Sequence, residues 1–286
     1  MNHSTWPWTK NHAQAHLANQ VNYRRIVRKT ILLLAGLLTG NVQAAQTGAI
    51  SCSAKSGDTR TALLELYTSE GCSSCPPADE WLRKFRSNGL YPDRVIPLAL
   101  HVDYWNSLGW KDPFSQKLFS ERQHQIARIH RARTVYTPQL LLNGRELLRW
   151  RYQGEDAIRR AGVDRPRADI ALTMAHEADR MDISADVRTR DNSNSADVFI
   201  VLYENNLPSH IRAGENEGRT LQHEFVARQW LGPMPLDKDG VAHIKQRLDL
   251  DKTWKAKDLG VVAFVQDRNN GEVWQALARP SCPSPK

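Results

Sequence analysis

Apolar residues in the first half of the chain fall into short runs of strand length, separated by segments with helical spacing. Ala62-Leu63-Leu64-Glu65-Leu66-Tyr67 is a mainly apolar run that stops at the turn-forming Thr68-Ser69-Glu70-Gly71. Trp81, Leu82 and Phe85 then recur at helical spacing, with Pro76 and Pro77 suited to the first turn and Asn88-Gly89 to the stop. Residues 95–102 read as a second buried strand, to which Pro97 is a mild objection because it lacks a ladder donor. Asp112-Pro113 opens a longer predicted helix over 113–131, with Asp112 as N-cap and Phe114, Leu118, Ile126 and Ile129 on its apolar face. Asn143-Gly144, the strongest short hairpin signal, turns a strand over 139–142 into another over 146–150, and a short helix over 155–161 stops at Gly162.

The resulting order, β-α-β-α-β-β-α, is that of a minimal thioredoxin fold. From about Asp164 the pattern changes to strands over 169–174, 181–187, 197–203, 240–248, 261–266 and 272–278, divided by turn-rich breaks such as 191–195. The expected architecture is therefore an α/β thioredoxin-like domain over 62–163, followed by a mainly antiparallel β domain over 164–286, a sandwich. Residues 45–61 are a polar lead-in. The chain carries no internal repeat and no low-complexity segment.

Charge changes the picture less than its total suggests. The net charge is +8, but residues 1–44 hold Lys10, Arg24, Arg25, Arg28 and Lys29 and no acid, and without them the balance falls to +3. A nucleic-acid partner is not expected on that balance. The same segment has the layout of an export signal: a basic region over 24–29, an apolar run over 31–38 and Val42-Gln43-Ala44 as a small-residue cleavage pattern. The apolar run is far shorter than the ~20 residues of a membrane-spanning helix. A signal peptide over 1–44, a periplasmic or secreted mature protein and no stable membrane span after cleavage are the expectations. The polar stretch before Arg24 is long for such a signal, which leaves a true start near Val21 open.

An exported chain with four cysteines can form disulfides. Cys52 and Cys282, near the ends of the mature chain, read as a structural tie. Cys72 and Cys75 form a Cys-x-x-Cys that follows a strand and opens a helix, where unpaired N–H groups and the helix dipole favour a thiolate. Cys72 is then the nucleophile and Cys75 the resolving thiol. Ser73 and Ser74 offer hydroxyl and amide donors without positive charge. Pro76 tempers the dipole argument, since a helix starting there makes Cys75 the N-cap and leaves Cys72 on the preceding turn. Thr137-Pro138 occupies the position of the cis-proline beside a thioredoxin dithiol. His101 and Asp103, at the end of the second strand, read first as polar loop anchors beside Trp105 and Trp110, with a proton-shuttling role for Cys75 as the alternative. Arg212, Glu215, Asn216 and Arg219 read as a solvated loop, with capping of the site as the alternative.

Residues 65–79 (ELYTSEGCSSCPPAD), 101–106 (HVDYWN), 109–114 (GWKDPF), 135–138 (VYTP) and 214–220 (GENEGRT) together resemble the DUF1223 family of exported bacterial proteins. The resemblance implies a thioredoxin-like fold and a dithiol site. The expected function is thiol–disulfide exchange on a protein or small-molecule thiol or disulfide, with no cofactor and no resident metal. Two alternatives remain open: a copper-handling protein using Cys72, Cys75 and His101, and a binding module whose Cys-x-x-Cys is structural. A nucleotide-dependent enzyme is unsupported, since no phosphate-cradling Gly-rich loop precedes a helix.

Overall fold

Paired strands account for most of the regular secondary structure in this computed structural model, which describes residues 50–282 apart from Ala178. The export segment expected at 1–44 lies outside the described residues. In chain order the elements are β1 (Ile50–Lys55), β2 (Ala62–Thr68), α1 (Pro76–Arg83), β3 (Val95–His101), α2 (Lys117–Ile129), β4 (Gln139–Leu142), β5 (Arg145–Glu146), α3 (Trp150–Ala161), β6 (Ala168–Glu177), β7 (Arg180–Thr189), β8 (Ala196–Glu204), β9 (Leu207–His210), β10 (Thr220–His223), β11 (Val226–Pro235), β12 (Val241–Asp249), β13 (Leu259–Asp267) and β14 (Val273–Pro280). Among the described residues no helix is long and apolar enough to cross a membrane.

From β2 to α3 the element order is the expected one. Asn143 and Gly144 both take positive φ, 50° and 81°, as a two-residue hairpin turn requires. Asn143 also extends the ladder, because its N–H donates to the Leu63 carbonyl and its Oδ1 accepts from the Leu63 N–H. Pro97 is accommodated in β3 by local geometry. Ala99 donates its N–H to Phe225 of the β11 side, and β3 meets β11 only at that residue, so Pro97 stands where no partner requires its missing donor.

Boundaries shift where tertiary packing intervenes. Helix α2 starts at Lys117 rather than 113, because Asp112 turns its carboxylate to three other groups and Gln116 is the N-cap. Leu118 is exposed, and the buried face of the helix consists of Phe119, Ser120, Arg122, Gln123 and Ile126, only two of them apolar. The strand expected over 146–150 shortens to β5, and Trp150 opens α3. Gly154 lets that helix lie against Trp81, whose ring would be 2.5 Å from an added Cβ.

Strands from both sides of the 163/164 boundary share one eight-stranded sheet, in the order β14-β13-β8-β11-β3-β2-β4-β5. A four-stranded sheet, β1-β6-β7-β12, covers one face of its C-terminal half and makes the expected sandwich. Alternation along β8 shows the arrangement: Val198, Ile200 and Leu202 join the core shared with the four-stranded sheet, and Phe199, Val201 and Tyr203 join the core of the first half. The lead-in supplies β1, whose Cys52 is disulfide-bonded to Cys282 at a Cα separation of 5.6 Å.

Arg122 ties these layers together. It is 5% exposed, its Nε donates to Glu65 Oε1 on β2 at 2.6 Å, another nitrogen donates to Gln266 on β13, and its guanidinium lies 4.4 Å from the Trp230 ring centroid on β11. Removing one partner of such a pair leaves an uncompensated buried charge. Arg122→Ala is expected to lower stability by about 3–5 kcal/mol, read as a lower urea midpoint. The double variant Arg122→Met with Glu65→Leu should cost less than the single one; a larger loss would contradict the ion-pair account.

Candidate functional site

Strand β2 is buried along its whole length and delivers the chain to the turn Ser69-Glu70-Gly71 at one end of the sheet. Cys72 closes that turn by donating its N–H to the Ser69 carbonyl, and the Gly71 N–H donates to Ser69 Oγ. Cys75 is the N-cap of α1, with prolines in the first turn, and its carbonyl accepts from the N–H groups of Ala78 and Asp79. Cys72 and Cys75 are joined in a disulfide, and neither residue has any exposed surface. Ser74 Oγ lies 3.3 Å from Cys72 Sγ, and both Ser73 and Ser74 are exposed. The helix thus begins after Cys75, and Cys72 stands one turn before the dipole's end.

The 212–219 loop is not merely solvated. Asn216 is buried, and its amide nitrogen donates to the carbonyls of Glu70 at 2.8 Å and Cys72 at 3.0 Å. Glu215 accepts the Ser73 N–H at 2.9 Å, and hydrogen bonding by the Ser73 side chain and backbone holds its carboxyl below the usual value. Arg219 donates to Asn216 Oδ1, while Arg212 is exposed. Gly214 brings the loop against Trp110, where an added Cβ would meet the Trp110 Cβ at 3.2 Å. The capping role follows from these long-range contacts, which a local reading of a polar, glycine-punctuated loop does not contain.

Thr137 and Pro138 are joined by a cis peptide bond. Thr137 Oγ1 accepts the Trp105 indole N–H at 2.8 Å, and Trp105 Cβ would be 3.2 Å from a Cβ at Gly71. Trp105 therefore bridges the Thr137-Pro138 turn and the turn that carries Cys72.

Behind the disulfide lies a buried polar cluster. His101 donates from Nδ1 to Asp112 Oδ2 at 2.7 Å, and Asp112 Oδ2 also accepts the Glu70 N–H. Glu70 in turn accepts the Trp110 indole N–H at 2.7 Å and sits 3.0 Å from His223 Nε2. Asp79, on α1, accepts the Thr68 hydroxyl. The His101 and His223 rings meet edge to face at 5.0 Å, and Phe114 packs against both. His101 Nε2 and His223 Nδ1 are buried without a hydrogen-bond partner. Burial alone would push the His101 imidazolium down, but the Asp112 charge and hydrogen bond outweigh it and hold the group above its usual value. For Asp112 burial pushes upward and His101 more than reverses it, leaving that carboxyl lowered. Burial dominates at Asp79 and raises its carboxyl despite His223, His101 and Thr68.

His101 thus belongs to the cluster, whereas Asp103 is a loop anchor that accepts the Ser120 hydroxyl on α2. Glu70, Asp79 and His223 carried no local signal, since each is polar for a partner distant in sequence. Among the described residues no group of three or more His, Cys, Asp or Glu is arranged to hold a metal, and the sulfurs a copper reading needs are bonded to each other.

Fold and site together define a β-rich protein with a disulfide-bonded Cys-x-x-Cys at the start of a helix. The chain belongs to the family described as "Protein of unknown function (DUF1223)", whose model matches residues 63–266. It is similar to the crystal structure of protein AGR_C_4864 from Agrobacterium tumefaciens, with 27% identity and a TM-score of 0.57 over 81% of this chain and 98% of that one. It is also similar in fold to HBP35 of Porphyromonas gingivalis, with 17% identity and a TM-score of 0.58 over 81% of this chain and 80% of that one. No curated protein matches.

The His101–Asp112 pair sets a pH-dependent stability. The raised His101 contributes stability that is complete below its unfolded value of about 6.5 and is lost as pH rises through its folded value. The lowered Asp112 contributes above about 3.8 and loses its share as pH falls through its own folded value. The stability gap between wild type and His101→Asn is therefore expected to be widest between about pH 4 and pH 6.5. Urea unfolding at pH 5.5 and pH 9 checks this; a gap that widens at pH 9 would contradict it.

Proposed function

We propose that this chain is an exported thiol–disulfide oxidoreductase of thioredoxin-like design, with Cys72 as the exchanging sulfur and Cys75 as the resolving one. The observation that carries the reading is the Cys72–Cys75 disulfide at the N-terminus of α1, with the Thr137-Pro138 turn brought to it through Trp105 and Gly71. The strand order β3-β2-β4-β5, with β2 and β3 parallel and β4 antiparallel, supports the thioredoxin-like assignment. A disulfide across two intervening residues closes too small a loop to stabilise the fold much by restricting the unfolded chain, which favours a chemical role. The second, long-range disulfide and the signal-like 1–44 segment support a periplasmic or secreted location.

In this mechanism an incoming thiolate attacks Cys72 Sγ, the Cys72–Cys75 bond breaks and Cys75 departs as a thiolate. A second thiol of the substrate then attacks its own sulfur in the mixed disulfide and releases Cys72. Two substrate thiols become one disulfide, and the protein gains two thiols. That sequence donates the disulfide; run in reverse it reduces a substrate disulfide and re-forms the Cys72–Cys75 bond. Both cysteines are buried and the 212–219 loop is bonded to the Cys72 carbonyl through Asn216, so in this reading the loop lifts to admit a protein substrate.

Cys75→Ser expressed in a bacterial host is expected to accumulate mixed disulfides through Cys72 that dithiothreitol releases. Absence of any adduct, together with a wild-type Cys72–Cys75 bond that resists dithiothreitol in the folded protein, would overturn the reading. Asn216→Ala removes the Arg219 contact and the two hydrogen bonds, of about 0.5–1.5 kcal/mol each, that hold the loop on the Glu70 and Cys72 carbonyls. Reduction by a protein dithiol should accelerate by about fivefold or more, with a smaller effect for dithiothreitol; equal rates in variant and wild type would exclude the loop as a cover.

A further inference from the structure

Both histidines behind the disulfide are held in the same way. His101 is oriented by Asp112 through Nδ1, and His223 faces Glu70 through Nε2. Each keeps its other ring nitrogen buried and without a partner, and the two rings touch edge to face. The two carboxylates fix the rings and leave one nitrogen on each without a hydrogen-bond partner.

Asp79 completes the arrangement. It lies four residues after Cys75, whose carbonyl accepts its N–H at 3.2 Å, so the two side chains occupy neighbouring positions on one face of α1. Both residues are buried, and Asp79 and His223 line a groove of about 520 Å³ between α1 and β10 that opens to solvent. A thiolate released in such a place is poorly solvated, and it needs a proton from a nearby group.

We propose that Asp79, backed by His101 and His223, exchanges a proton with Cys75 as the disulfide opens and closes, an inference that rests on the dithiol function proposed above. When the disulfide opens, the Asp79 carboxyl gives its proton to the departing Cys75 thiolate. When it closes, the Asp79 carboxylate takes the Cys75 proton as Cys75 Sγ attacks a mixed disulfide at Cys72, and the groove carries that proton to water. The raised Asp79 carboxyl agrees with this role. The charged and titratable groups around it come from every neighbouring element: Glu70 after β2, His101 on β3, Asp112 before α2, and His223 on β10. Arg228 on β11 lies over the Phe114 ring, and Glu80, Arg83 and Arg219 line the groove.

The test uses the full mature chain, reduced mildly to two free thiols per chain, and 5,5′-dithiobis(2-nitrobenzoate) as the probe. The Cys72 thiolate attacks the reagent and expels one thionitrobenzoate. Cys75 then attacks Cys72, passes its proton to Asp79 and expels the second, so two thiols become one disulfide and the reagent is reduced to two thionitrobenzoates. Asp79→Asn is expected to slow the second release by about tenfold or more at pH 7, to leave the first within about twofold, and to converge on wild type as pH rises. Asp79→Glu should restore the second release. Thr68→Val, which removes the hydroxyl donor to Asp79 and keeps the carboxyl, should move the pH midpoint of the second release upward; it carries the test if Asp79→Asn does not fold. An unchanged second release with an unchanged pH profile in these variants overturns this inference alone. A wild-type chain with no second release overturns the dithiol function, and this inference with it.

Discussion

A guanidinium ion inside a protein is tolerable only where its hydrogen bonds and its charge are both met, and Arg122 satisfies that condition with groups from three strands. Glu65 on β2 supplies the opposite charge, Gln266 on β13 a further acceptor, and the Trp230 ring on β11 an aromatic face. These strands come from both halves of the chain, so the site for Arg122 exists only when the eight-stranded sheet is assembled. The same assembly buries β8 and β13 on both faces and brings α2 down beside β2. One helix residue thereby couples the halves that a local reading separates.

That coupling also builds the dithiol region. β2 and β3 end on the same side of the sheet and present Thr68 and His101 as neighbours in register. The later half of the chain returns to this edge through β10 and the 212–219 loop, adding His223 at the Glu70 carboxylate and Asn216 at its carbonyl. The loop's amide covers the Cys72 carbonyl, and the histidine meets the carboxylate of Glu70. A turn that could stand open to solvent is enclosed by residues about 145 positions away, as the separations of 144 and 146 between Asn216 and its two acceptors record.

Polar burial here is dense but mostly satisfied. Glu70, His101, Asp112 and His223 are each at most 2% exposed, and each has at least one hydrogen bond within the cluster. The groups left without partners are the outer nitrogens of the two imidazoles. Desolvating such nitrogens costs free energy that a purely structural core would avoid with apolar residues of similar volume. In this cluster the nitrogens without partners lie beside a redox-capable pair, whereas at the Arg122 site the group left without a partner is the second oxygen of Glu65.

Local chemistry determined much on its own. The Asn143-Gly144 turn, the start of α1 at Pro76 with Cys75 as N-cap, and the buried runs of β2 and β3 follow from backbone preference and hydrophobic period, which act within a few residues. Pairing Cys72 with Cys75 needed no more than their spacing. β11 escaped detection because Arg228, Gln229 and Gly232-Pro233 break its alternation, and two register shifts accommodate them only once β8 lies alongside. β1 looked like a polar lead-in because it alternates at the edge of a sheet whose other strands begin more than a hundred residues later. The continuous sheet, the Asn216 cap and the pairing of Glu70 with His223 were decided by tertiary structure alone. Each is a contact between groups distant in sequence, and the free energy that selects such partners comes from burial in the assembled molecule rather than from any preference within the segments themselves.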